Sequence, residues 1–197
     1  VIPNGVDTER FYPAEKRGLE RPIKLLTVSR LIERKRIDLL IQAVSQTKKL
    51  DLDVQLNIAG EGNLKEKLAR LADELNVTDQ VIFMGRVPAE QMPQLYRNND
   101  IFVMSSIHEG MSNAMLEAMA SGLPIVTTRC EGVAELMADN GIVIEKAQAE
   151  EFAQAIKRLA DDQNYYKQMS LAARKQAQKF NWKSVAEKYL NCYKNIG

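Results

Sequence analysis

The sequence contains few of the residues from which proteins build disulfide frameworks or metal sites. It has two cysteines and one histidine among 197 residues, and Cys130 and Cys192 lack the spacing of a zinc site. The formal net charge is only +1, which predicts no general attraction to nucleic acid. No apolar run is long enough to cross a bilayer, and no signal peptide is recognisable. We therefore expect a reduced, cytoplasmic protein without a metal site.

Charge is nevertheless distributed unevenly along the chain. Basic side chains outnumber acidic ones in residues 15–36 and again in residues 163–197. Solvated helix faces would explain both clusters. A diphosphate site would explain the first, and contact with an anionic membrane surface or a partner domain would explain the second. Only the first cluster coincides with a sequence motif.

Short apolar runs alternate with amphipathic runs along most of the chain. The apolar residues of Ile37–Val44 and of Leu64–Leu75 recur at helical spacing. Because parallel strands need helix-length connections, the alternation predicts an α/β fold: a Rossmann-like parallel sheet of about six strands with helices on both faces. C-terminal helices are predicted over Phe152–Ala160, Tyr165–Lys179 and Trp182–Tyr193. The predicted strands are Ile23–Val28, Val54–Ala59, Val81–Met84, Ile101–Met104, Ile125–Thr128 and Gly141–Ile144.

Five of the predicted strands are followed directly by polar or glycine-containing segments. Open parallel sheets bind ligands beyond the carboxyl ends of their strands, so these segments predict one site along a single edge of the sheet. The segments contain Arg30 and residues 60–62, 85–87, 106–113 and 129–132.

The segment from residue 106 to residue 124 says most about function. Ser112 or Asn113 is suited to cap a helix, and good helix formers follow. Glu109 then lies in the loop before this helix, and Glu117 lies about one turn inside it. A helix N-terminus attracts anions, whereas carboxylates accept hydrogen bonds from sugar and ribose hydroxyls. A nucleotide sugar satisfies both requirements.

These motifs resemble those of the group 1 retaining glycosyltransferases, which have the two-domain glycosyltransferase B fold. The resemblance is most specific where Glu109 and Glu117, with seven residues between them, precede Ala118–Pro124. Other segments match in the same order, so the resemblance covers nearly the whole chain. They are Val1–Asp7, similar to the interdomain segment; Val28–Leu31 with Lys35, similar to the phosphate-binding strand end; and Ile58–Gly62 and Val81–Val87, similar to the next two strand-to-loop junctions.

The resemblance implies a role for each candidate site residue. Arg30 and Lys35 would neutralise the diphosphate of the donor, and they form the catalytic set together with Glu109. Glu109 would accept hydrogen bonds from the transferred sugar, and Glu117 from the ribose. His108 would belong to the pocket wall. The other implied donor-binding residues are Gly60, Gly62, Arg86, Val87, Gly110, Met111, Ser112 and Asn113.

The sequence departs from the family pattern at two places in this site. Relatives commonly have an aromatic residue and a glycine where this chain has Met111 and Ser112. Glu131-Gly132 replaces a pair of glycines, and we assign it no role. The loop sequence Glu-Gly-Met-Ser-Asn at residues 109–113 is most similar to that of enzymes that use UDP-linked hexoses or N-acetylhexosamines. We therefore expect a UDP-sugar as donor, with no cofactor and no metal.

The resemblance also implies a division into domains. Residues 1–22 would form an interdomain segment, residues 23–180 the nucleotide-sugar-binding domain, and residues 181–197 a helix that packs on an absent N-terminal domain. That absent domain would bind the glycan or lipid-linked acceptor. We therefore expect this chain, as half of a larger cytoplasmic protein, to bind donor weakly and to turn over nothing measurable; peripheral membrane association is left open.

Other functions remain compatible with the same fold class. A nucleotide-sugar epimerase would need its own acid and base residues, and a glycogen-type phosphorylase would need a lysine that holds pyridoxal phosphate; neither is evident in the sequence. A non-catalytic nucleotide-binding module is the second alternative, and ligand-binding measurements would distinguish it.

Overall fold

The computed structural model describes residues 3–15 and 18–194 of the chain, with side chains as far as Leu190. Some sequence-based predictions lie outside this description. They concern Val1, Ile2, Lys16 and Arg17 of the interdomain segment, the side chains of Cys192 and Tyr193, and residues 195–197.

Six parallel strands form a single sheet in the order β3-β2-β1-β4-β5-β6. Five strands have the predicted bounds, and β3 is one residue longer. The prediction succeeded because each strand is a short, largely apolar run between polar connections, and four of the six strands are mostly buried. The strands are β1 (Ile23–Val28), β2 (Val54–Ala59), β3 (Val81–Gly85), β4 (Ile101–Met104), β5 (Ile125–Thr128) and β6 (Gly141–Ile144).

Helices cover both faces of this sheet and bury two apolar clusters, which confirms the Rossmann-like prediction. The first cluster joins α1, α2 and α6 to the sheet, and the second joins α3, α4, α5 and much of α7. The helices are α1 (Ile37–Lys48), α2 (Lys65–Glu74), α3 (Met92–Arg97), α4 (Asn113–Ala120), α5 (Val133–Leu136), α6 (Ala149–Asp161), α7 (Gln163–Gln178) and α8 (Trp182–Lys194).

The strand order places a crevice between the loops that follow β1 and β4. Strand β1 lies between β2 and β4, so the chain winds outward in opposite directions from this pair. Loops that leave adjacent strands in opposite directions open a gap at the carboxyl edge, where ligands of such sheets bind. The loop after β1 contains Arg30 and Lys35, and the loop after β4 contains Glu109.

The segment before β1 is packed onto the domain. Val6 and Phe11 are buried in the second apolar cluster. The amide of Val6 donates a hydrogen bond of 2.8 Å to the carbonyl of Phe180. The guanidinium of Arg174 in α7 donates to the carbonyls of Thr8, Phe11 and Ala120 at 2.7–2.9 Å. These contacts join residues 6–11 to both α4 and α7.

Helix α8 carries large apolar side chains that remain exposed. Trp182, Tyr189 and Leu190 are 59%, 46% and 58% accessible to solvent. Among the described residues, no helix combines the length and the apolar character needed to cross a bilayer.

Candidate functional site

Hydrogen bonds hold the loop after β1 against the loop after β4. The hydroxyl of Ser105, which has one proton to donate, lies 2.8 Å from the carbonyl oxygen of Lys35 and 2.7 Å from that of Arg36. The amide of Ile107 donates to the carbonyl of Arg34 at 2.9 Å. The positions of Lys35 and Glu109 are therefore coupled through the backbone.

Lys35 and Glu109 form an ion pair across the crevice. Both side chains are nearly buried, with 13% and 11% of their surface exposed. The hydroxyl of Ser106 donates a 2.7 Å hydrogen bond to the same carboxylate oxygen, Oε1. The structure thus brings two predicted catalytic residues into contact and adds a serine that the sequence analysis did not single out.

Glu117 lies inside α4 and faces α3. Because α4 begins at Asn113, Glu117 has the expected position about one turn inside the helix. Its Oε2 accepts a 3.0 Å hydrogen bond from the hydroxyl of Tyr96. Burial raises the pKa of Glu117, and the Tyr96 hydrogen bond and the positive charge of Arg10 offset part of this effect. The same Arg10 donates to the carbonyl of Ala89 in the loop after β3. Glu117 is therefore near the part of the sheet edge that carries residues 86–89.

A cavity of about 470 Å³ opens at the carboxyl ends of β1, β2 and β3. Four predicted site residues line it, namely Arg30, Gly60, Arg86 and Val87, together with Met92 from the start of α3. Arg30 is exposed. These strand-end residues therefore meet at one edge of the sheet, as expected.

Gly60 and Gly62 allow the loops after β1 and β2 to touch. Gly60 has φ 138°, and a Cβ there would overlap the carbonyl oxygen of Ser29. A Cβ at Gly62 would overlap the carbonyl of Leu31. The close packing of these two loops is enough to explain why glycine is needed at both positions. That Gly60 and Gly62 also contact the donor remains a prediction.

The start of α4 is capped as the sequence predicts. The hydroxyl of Ser112 accepts a 3.3 Å hydrogen bond from the amide of Met115, and the helix begins at Asn113. The side chain of Asn4 donates to Oδ1 of Asn113 at 3.0 Å and reaches the carbonyl of Met111 at 3.5 Å. The segment before β1 therefore contacts the loop that is expected to bind the donor.

The remaining predicted residues, His108 and Gly110, are exposed in the loop before α4. The loop after β5 packs against this loop at Gly132, which has φ 77° and whose Cβ would overlap the carbonyl of Gly110. The same loop brings Cys130 near Glu109, and burial and the negative charge of Glu109 raise the pKa of its thiol. Gly132 and Cys130 thus adjoin the predicted site, at the sheet edge where the sequence placed residues 129–132 without giving either residue a role.

Comparisons with known proteins show which family the chain belongs to. The profile of the family described as "Glycosyl transferases group 1" matches residues 9–176, which is most of the chain. The chain belongs to the group 1 glycosyl transferases. Its six-stranded parallel sheet is that of a C-terminal domain in this family.

One curated relative of this group 1 domain is a GDP-mannose-dependent alpha-(1-6)-phosphatidylinositol monomannoside mannosyltransferase from Mycolicibacterium smegmatis. It is 33% identical over 191 residues, which cover 88% of this chain and 50% of the relative. The chain therefore spans about half the length of that protein.

Two solved structures show the same fold. The C-terminal domain of the group 1 family protein LpcC from Francisella tularensis has a TM-score of 0.79 and 25% identity, with 90% of this chain and all of that one covered. A TarM mutant from S. aureus, in complex with Fondaparinux, alpha-GlcNAc-glycerol and UDP, has a TM-score of 0.77 and 26% identity. That match covers 91% of this chain and 38% of the TarM chain.

Proposed function

We propose that this domain binds the nucleotide-sugar donor of a glycosyltransferase. The observation that carries the proposal is the contact between Lys35 and Glu109 across the crevice, with Arg30 exposed in the same loop as Lys35. Cations and a carboxylate at one sheet edge suit a ligand that has both phosphates and hydroxyls. Oε2 of Glu109 would accept a hydroxyl of the sugar, because Oε1 already receives Lys35 and Ser106.

The chemistry of transfer gives the two cations their function. Cleavage of the bond between the anomeric carbon and the phosphate oxygen leaves negative charge on the diphosphate and positive charge on the sugar. Arg30 and Lys35 would stabilise the departing diphosphate, and an oriented donor of this kind can contribute about 3 kcal/mol in a dry cleft. Glu109 would stabilise the positive charge of the sugar. Retention of configuration and independence of metal ions are part of the proposal.

The proposed donor is a UDP-hexose or UDP-N-acetylhexosamine. The TarM mutant complex contains UDP, which supports a uridine donor. The mycobacterial relative is named GDP-mannose-dependent, so GDP is the competing nucleotide. We further propose that the acceptor is a glycan or a lipid-linked molecule in bacterial polysaccharide or glycoconjugate synthesis on the cytoplasmic side.

We propose that an N-terminal domain binds this acceptor and covers the apolar face of α8. The exposed Trp182, Tyr189 and Leu190 support this interpretation, because they form an apolar surface that suits a protein partner. Without that partner the donor half should bind nucleotide but transfer no sugar. Rapid transfer by the 197-residue chain alone would contradict this part of the proposal.

Calorimetric titration with UDP, GDP and ADP tests the donor proposal. We expect UDP to bind and the Glu117→Ala variant to lose at least about tenfold in affinity, because the ribose hydroxyls lose a charged acceptor. Glu66→Ala, which changes an exposed glutamate in α2, is the matched control and should bind as the unchanged chain does. Equal binding by both variants, or no binding of any nucleotide, would refute the proposal.

A further inference from the structure

Tyr96 is a fully buried side chain whose hydroxyl contacts the predicted ribose-binding carboxylate. Its Oη lies 3.0 Å from Oε2 of Glu117 and 3.1 Å from the carbonyl of Ala114. A phenol has one proton to donate, and a charged acceptor forms the stronger bond. The Glu117 carboxylate is therefore the preferred acceptor. Burial and the charge of Glu117 raise the pKa of Tyr96 well above its usual value, so the hydroxyl keeps its proton at physiological pH.

The ring of Tyr96 is held between two other aromatic residues. Phe11 contacts it edge to face, with ring centroids 5.7 Å apart and an interplanar angle of 77°. Phe102 in β4 packs at 6.3 Å with an angle of 40°. Buried rings in such contacts have little freedom to move. The hydroxyl is thus fixed in space, and it can fix the carboxylate that it contacts.

We propose that Tyr96 is a positioning residue for nucleotide binding. Its hydroxyl holds the Glu117 side chain in the orientation, and in the ionised state, in which the carboxylate can accept hydrogen bonds from two ribose hydroxyls. The inference rests on the proposed function, since it concerns how Glu117 meets a nucleotide. Tyr96 itself lies behind Glu117 and acts on the ligand only through it.

The charged and titratable groups that face Glu117 give this inference a pH dependence. They are Tyr96 from α3 and Arg10 from the segment before β1, and both lower the pKa of Glu117 against the larger effect of burial. Protonated Glu117 loses acceptor capacity, so nucleotide affinity should fall as the pH falls through its pKa. Removal of the Tyr96 hydroxyl removes one of the two interactions that lower the pKa of Glu117. That pKa should therefore rise, and the decline in nucleotide affinity should begin at higher pH.

The test is the affinity of the 197-residue chain for UDP between pH 5 and pH 8, measured for the unchanged chain and for Tyr96→Phe. We expect an affinity about tenfold lower at pH 7.5 and a pH profile displaced towards higher pH. Tyr166→Phe is the matched control, because Tyr166 is also buried and its hydroxyl donates to the carbonyl of Asp100, just before β4 begins. It should lose comparable stability and keep the original affinity and profile.

The outcomes separate this inference from the function on which it rests. If the unchanged chain binds UDP and Tyr96→Phe binds it equally well with the same pH profile, Tyr96 is structural only and the inference is wrong. If both tyrosine variants weaken UDP binding equally, the loss reflects general destabilisation, and the inference is again wrong. If the unchanged chain binds no nucleoside diphosphate, the proposed function is wrong, and the positioning role that rests on it is wrong as well.

Discussion

Replacement of Lys35 by methionine is expected to lower the free energy of unfolding by about 3 kcal/mol, the cost of leaving a nearly buried carboxylate without its counter-ion. Glu109 would keep the hydrogen bond from Ser106 but lose the charge that compensates its burial. The methylene groups of methionine occupy much of the volume of the lysine stem, so packing loss contributes little. Urea unfolding of the two proteins measures the difference.

Two further variants make the Lys35 experiment decisive. Lys157→Met breaks a pair with Asp161 on α6 that is much more accessible to solvent, with Nζ and Oδ2 2.8 Å apart, and should cost no more than about 0.5 kcal/mol. The double variant Lys35→Met/Glu109→Leu removes both charges and should recover most of the stability. A Lys35→Met variant as stable as Lys157→Met would show that the crevice pair is well solvated, contrary to its low exposure.

Gly60→Ala is expected to cost about 4 kcal/mol, because it combines a backbone conformation that suits glycine with a direct overlap. The φ of 138° strains any L-residue with a side chain, and the new methyl group would overlap the Ser29 carbonyl. Relief requires the loop after β1 to move, and this loop carries Arg30. The variant should therefore lose both stability and nucleotide affinity.

Gly110→Ala is the control for Gly60→Ala. An added Cβ at Gly110 meets no heavy atom within 4 Å, so thermal unfolding should be nearly unchanged. Gly60→Ala should unfold at a clearly lower temperature in the same measurement. If the two variants unfolded alike, the close contact between the loops after β1 and β2 would not contribute to stability.

The strands and the helix cap could be predicted because their signals are local. The bounds of β1 follow from a run of six residues, and the start of α4 follows from the capping character of Ser112. Parallel pairing then placed Arg30, Gly60 and Arg86 at one edge of the sheet. The location of the proposed site thus follows from short patterns combined with one topological rule.

The contacts that organise the site could not be predicted in the same way. Lys35 and Glu109 are 74 residues apart, and Tyr96 is 21 residues from Glu117. Such pairs depend on how the helices and loops pack on the sheet. Local periodicity in the sequence carries no information about that packing. Tyr96 looks like an ordinary apolar position in an amphipathic helix, and only its burial beside a carboxylate reveals the role of its hydroxyl.

The packing of residues 6–11 has a consequence for the order of events during biosynthesis. This segment is translated before the sheet, yet it is anchored by Arg174 and Phe180, which follow it by more than 160 residues. Contacts between such distant parts of a chain form late, after local structure has reduced the entropic cost of closing the loop. Phe11 and Arg10, which support Tyr96 and Glu117, should therefore reach their places among the last steps, so a nascent chain would acquire its sheet before it acquires a finished nucleotide pocket.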